Sequence, residues 1–94
     1  MSESSLQRRE LVYSGNVQGV GFRFTAQRIA QGYKVAGFVR NLRDGRVQLA
    51  VEGQPQEIDA FLDDLQTRMR GYIRDVIENE TTPAEGTSGF EIRF

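Results

Sequence analysis

Gly15-Asn16-Val17-Gln18-Gly19-Val20-Gly21-Phe22-Arg23 joins two segments of different periodicity, and the way it joins them decides the fold. Before it, Arg9–Gly15 carries Leu11, Val12 and Tyr13 and reads as a buried strand running into a turn. After it, Phe22, Ala26, Ile29, Ala30 and Tyr33 fall at i, i+4, i+7, i+8 and i+11, which lays one apolar stripe along a helix over Phe22–Gly32. Gly32 stands where a helix stop is expected. Strand, glycine loop and helix together begin a β-α-β unit.

The elements downstream complete it. Lys34–Asn41 reads as the second strand, and Asp44-Gly45 marks a hairpin. Arg46–Glu52 alternates, with Val47, Leu49 and Val51 on one face and Arg46, Gln48 and Glu52 on the other, the pattern of a half-buried antiparallel strand. Pro55 suits the first position of a second helix, whose apolar face is Ile58, Phe61, Leu62, Leu65 and Met69 before Gly71. Tyr72–Glu80 supplies a fourth strand, Thr81–Ser88 a polar loop, and Phe90–Phe94 a short terminal strand. The order βαββαβ plus a short last strand predicts an α+β ferredoxin-like sandwich. Two helices pack on one face of a mostly antiparallel sheet of four to five strands. Its 94 residues suffice for one modest core, with a flexible tail over 1–8 and a single domain over 9–94.

Three glycines in seven positions, with no acidic residue among them, make the loop an anion cradle. Glycines let successive backbone N–H groups turn toward one centre, and a helix N-terminus adds free N–H groups and partial positive charge. Phosphate is the expected guest, held by the backbone of Val17, Gln18, Gly19, Val20, Gly21, Phe22 and Arg23. A Walker loop counted from Gly15 needs glycine at 20 followed by Lys-Ser/Thr, where Val20, Gly21 and Phe22 stand; a dinucleotide fingerprint from Gly19 needs a small residue where Phe24 stands. Neither motif is present. Arg23 at a helix start opposes the helix dipole, which argues for ligand binding over a structural role. The right-handed crossover puts the C-terminal ends of strands one and two on the same edge of the sheet, so Asn41 can converge with Arg23 across one intervening strand.

Gly-x-Val-Gln-Gly-Val-Gly-Phe-Arg, followed by Gly37-Phe38-Val39-Arg40-Asn41 and Asp44-Gly45, closely resembles the acylphosphatases. The likeness runs from about Leu11 through Val51-Glu52-Gly53 to Gly89-Phe90-Glu91-Ile92-Arg93-Phe94. It implies metal-independent hydrolysis of the carboxyl–phosphate bond of acyl phosphates, with Arg23 as the phosphate-binding arginine and Asn41 as the residue that positions water. Two positions depart from the family's habit: Asn16, where a basic or larger residue is commoner, and Phe38, where tryptophan often stands.

Composition agrees with that chemistry. With neither histidine nor cysteine, the chain lacks the commonest general base, the commonest metal ligand and any thiolate. Cleaving a carboxylic–phosphoric anhydride expels a carboxylate whose conjugate acid has a pKa near ~4, so no general acid is needed. The expectation is therefore no metal and no cofactor. Net charge is −1, but residues 1–47 hold eight basic and three acidic side chains and residues 48–94 hold four and ten. The basic half is the loop half, where it can steer an anion. No apolar run approaches the ~18 residues of a membrane span, and Met1–Ser5 offers no signal-peptide core. A cytoplasmic monomer is expected, acting on a small-molecule acyl phosphate, with inorganic phosphate or sulfate as competing anions and with no nucleic acid or membrane partner.

Two other readings stay open at this stage. A non-catalytic ferredoxin-like module could stack bases on Tyr13, Phe38 and Phe90, although the acidic second half disfavours a polyanion. A domain handling acyl or carbamoyl phosphate within a larger maturation protein is the other. Arg40, Arg43 and Arg46 read as solvated charges, and Asp63-Asp64 are adjacent helical residues pointing about 100° apart rather than a catalytic pair.

Overall fold

β3 (Val47–Gly53) is the strand around which the sheet is built, because it pairs antiparallel with both β1 (Gln7–Gly15) and β2 (Val35–Asn41). In the computed structural model, which describes residues 6–84 and 87–94, the remaining elements are α1 (Phe22–Ala30), α2 (Pro55–Arg68), β4 (Ile73–Thr81) and β5 (Phe90–Arg93). The five strands lie in the order β4-β1-β3-β2-β5, with β5 added parallel to β2 and β4 antiparallel to β1. This is the ferredoxin-like α+β arrangement the element order predicts. Since β1 and β2 both oppose β3, they run parallel to each other one strand apart, and their C-terminal ends share an edge.

The core lies between the sheet and the two helices. Leu11, Tyr13, Val39, Val47, Leu49 and Val51 meet Phe22, Ala26, Ile29, Ile58, Phe61 and Leu65, all buried. Phe61 is central: its ring lies 5.5 Å from that of Phe90 and 6.3 Å from that of Tyr33. Its truncation to alanine would cost about 3–5 kcal/mol. The Tyr13 hydroxyl, at the far end of a fully buried ring, accepts a hydrogen bond from Gln66 Nε2 at 3.0 Å, and burial pushes its pKa up to about 12.

Several expectations move. β1 begins at Gln7, so Gln7 and Arg8 belong to the sheet rather than to the tail, while residues 1–5 of that tail lie outside the described residues. α1 ends at Ala30, short of Gly32, and Gln31, Gly32 and Tyr33 continue through bonds to the carbonyls three residues back. Glu52, expected on the solvated face of β3, is only 7% exposed. β3 is central, so both of its faces are shaded, and Arg8 Nη1, the Ala84 N–H and the Thr87 hydroxyl all donate to Glu52 Oε2. Burial alone would raise the Glu52 pKa, but these donors outweigh it and hold the carboxyl below its ordinary value.

β4 forms one edge of the sheet and is exposed along nearly its whole length, including Val76 and Ile77. Among the described residues, no helix is long and apolar enough to cross a membrane.

Candidate active site

The loop leaves β1 at a register shift between Ser14 and Gly15, and the Asn16 N–H fixes its exit by donating to the Tyr72 carbonyl at 2.9 Å. Val17 then turns inward, 1% exposed, and pins the loop to the core beside Phe22. Gly19 and Gly21 have φ of +80° and +79° with open space where a Cβ would stand, so backbone conformation rather than crowding requires glycine at both. Gly21 is the N-cap of α1 and has no side chain to cap it; the first helical bond runs from the Thr25 N–H to the Gly21 carbonyl at 2.9 Å. The N–H groups of Phe22, Arg23 and Phe24 are therefore left for a ligand, and no acidic side chain occupies the first turn.

Arg23 and Asn41 line one cleft of about 180 Å³ together with Val17, Gly19, Gly21 and Phe22. Its apolar side is Phe24, Ile92 and Phe94. The Arg23 guanidinium lies 4.8 Å from the centre of the Phe94 ring and makes one long hydrogen bond, 3.4 Å, to the Arg93 carbonyl. Among the described residues no carboxylate pairs with it, so its charge is available to an anion. Asn41 ends β2 opposite Val47, half-buried, and its amide is engaged by no other described residue. Arg23 is the one ionisable side chain among the described residues of the lining.

The side chains of two of the expected cradle residues turn away from the cleft. Val20 packs against the core. Gln18 turns its amide to the hairpin after β2, donating through Nε2 to the carbonyls of Leu42, at 2.7 Å, and Arg46, at 2.9 Å. That hairpin is closed by its own bonds, and Asp44 accepts from the Arg46 N–H at 3.1 Å and Nε at 2.8 Å; the backbone bond, followed by the guanidinium, holds the Asp44 carboxyl below its ordinary value. Sequence reasoning missed the contribution of β5: Ile92 and Phe94 read as a short terminal strand with no site role, and only the β2–β5 pairing brings them to the cleft.

The base-stacking platform is not assembled. Tyr13 and Phe90 lie on the helix face, Tyr13 fully buried and Phe90 against Phe61, while Phe38 is on the opposite face beneath the Arg93 guanidinium, 3.9 Å from its ring centre.

The family model for acylphosphatases matches residues 9–92. An acylphosphatase from Synechococcus sp. is 46% identical over 79 residues, covering 84% of this chain and 84% of that one. The crystal structure of acylphosphatase from Bacillus subtilis superposes with a TM-score of 0.81 at 34% identity, covering 96% of this chain and 100% of that chain. Full-length HypF, in its phosphate- and nucleotide-bound form, matches with a TM-score of 0.79 at 27% identity, over 96% of this chain and 12% of its own. The chain belongs to the acylphosphatase family, enzymes that hydrolyse acyl phosphates.

Proposed function

We propose that the cleft carries out this hydrolysis with the backbone of residues 17–23 and the Arg23 guanidinium holding the phosphoryl group and Asn41 placing the attacking water. The observation that carries the proposal is that Arg23, in the first turn of α1, and Asn41, eighteen residues on at the end of β2, line one cleft at the uncapped start of α1 although β1 and β2 do not touch. Phosphoryl oxygens accept from the free N–H groups and from Arg23, whose fixed positions stabilise the charge of the transition state without reorganisation; each such donor contributes about 3–4 kcal/mol. The Asn41 amide offers one acceptor and two donors, enough to orient water toward phosphorus. Water oxygen bonds to phosphorus as the bond from phosphorus to the acyl oxygen breaks, the carboxylate leaves unprotonated, and the water proton passes to a phosphate oxygen of the substrate itself.

The same reading makes the substrate a free small molecule and inorganic phosphate or sulfate its competitor. It has the protein working as a monomer, in the cytoplasm, without metal or cofactor. The test is hydrolysis of acetyl phosphate and benzoyl phosphate beside p-nitrophenyl phosphate. Turnover of the first two, undiminished by excess chelator, with the third almost untouched, supports it. A simple monoester expels an alkoxide and calls for an acid or a metal; loss of acyl phosphate turnover on chelation would falsify the metal-free mechanism.

A further inference from the structure

We infer that the Gln18 side chain is a positioning residue, which sets the place of Asn41 relative to the phosphate cradle; the inference rests on the function proposed above. Gln18 lies in the middle of the loop, yet its amide points away from the cleft and bridges to the turn that follows Asn41. Both its partners are carbonyl oxygens, so only the NH₂ end of the amide, with its two protons, can serve them together. Leu42, the first of these partners, is the residue next to Asn41.

The turn does not need Gln18 to close. The Leu42 N–H donates to the Arg46 carbonyl at 2.8 Å, and the Gly45 N–H donates to the Leu42 carbonyl at 3.2 Å. Each carbonyl that Gln18 reaches already has one backbone partner, so the side chain adds a second bond to groups that are otherwise satisfied. Its removal leaves no orphaned acceptor, and the cost to folding is correspondingly small. What the two bonds do is tie the loop that binds phosphate to the strand end that carries Asn41. Among the described residues no backbone bond makes that link: the loop's own bonds go to Tyr72, on the β4 side, and to Thr25 in α1.

Water attacking phosphorus in line is sensitive to this spacing, and a displacement of 1 Å can cost about a hundredfold in rate. Removing the tie leaves each half of the site intact, the cradle with Arg23 on one side and Asn41 on the other, and loosens their relation. The loss should fall on kcat, with KM little changed, and should be felt only while Asn41 is present.

The experiment is a double-mutant cycle on the whole chain, with turnover of acetyl phosphate and melting in phosphate as readouts. Gln18→Met should lower kcat between tenfold and a hundredfold, with less than a threefold change in KM and with the phosphate-induced rise in Tm retained. In the Asn41→Ala background the same substitution should cost less than threefold. Gln18→Glu supplies a second readout, because a carboxylate facing two carbonyls repels them, whereas its protonated form can donate to one. Its kcat relative to wild type should rise as the pH falls, and that rise should vanish when Asn41 is alanine. Equal losses in both backgrounds, a loss confined to KM, or a flat ratio for Gln18→Glu would each overturn the role. A wild type that turns over no acyl phosphate would instead sink the proposed function, and this inference with it.

Discussion

Arg8 on β1 and Glu52 on β3 are direct cross-strand partners, joined by a hydrogen bond of 2.5 Å at the end of the sheet remote from the glycine loop. The same Glu52 oxygen takes the Ala84 N–H at 3.0 Å and the Thr87 hydroxyl at 3.3 Å, so one carboxylate fastens the first strand and the segment before β5 to the central strand.

Stability should therefore depend on Glu52 and on pH in a definite direction. Because the native surroundings hold its pKa below the ordinary 4.5, the folded state favours the ionised form. That contribution is fully present above the unfolded value and is lost as the pH falls through the lowered native one. Glu52→Gln is expected to cost about 1–3 kcal/mol at pH 7. Denaturant melts of both proteins at pH 7 and pH 3 check it, since the gap should narrow in acid; a gap that stays constant would assign the loss to shape rather than charge.

Asn41→Ala should lower kcat on the order of 10²–10³ with little change in KM, as expected when water rather than substrate is being organised. Steady-state kinetics with benzoyl phosphate decides it. A large rise in KM at unchanged kcat would move Asn41 into substrate binding.

Phosphate should stabilise the wild type, because a ligand that binds only the folded state adds RT ln(1 + [L]/Kd), about 2.7 kcal/mol at 100 times Kd. For a chain of this size that is roughly 10 °C or more in Tm. Arg23→Gln should weaken phosphate about tenfold to a hundredfold and flatten the shift, while Asn41→Ala leaves it nearly whole. Scanning calorimetry over a phosphate series separates the two, and equal shifts in wild type and Arg23→Gln would remove phosphate from this loop.

Between about pH 5 and 8 the turnover profile should show no inflection of the enzyme's own, since the chain has no histidine and no Asp or Glu side chain is among the described residues that line the cleft. Any step should track the substrate. Two acyl phosphates of different phosphate pKa test this, and a step fixed at one pH for both would reveal a titrating protein group.

The glycine loop was legible in the sequence because left-handed backbone at Gly19 and Gly21 is a demand few other residues meet. Arg23 was legible because a cation at a helix start runs against the dipole, and the core face of β3 because Val47, Leu49 and Val51 alternate. Glu52 was not, since its burial depends on partners 44, 32 and 35 residues away that no local pattern announces. The Gln18 side chain was equally hidden: glutamine can donate or accept almost anywhere, and only the folded hairpin gives it two carbonyls. Ile92 and Phe94 reach the cleft through pairing across half the chain, which element order suggests but side-chain identity does not.

The open edge of β4 makes solution behaviour a matter of charge. β4 pairs with β1 on one side only, and the outer edge of this nine-residue strand, with Val76 and Ile77 exposed, is a template on which a second copy could hydrogen-bond. What it offers in place of a cover is Asp75, Glu78 and Glu80 against the single cation Arg74, a net negative charge that repels the same strand of another molecule. Salt that screens exposed charge weakens that repulsion, while the buried Glu52 anchor on the same sheet is screened far less. Colloidal stability thus answers to ionic strength and conformational stability to pH, so the two can be varied separately.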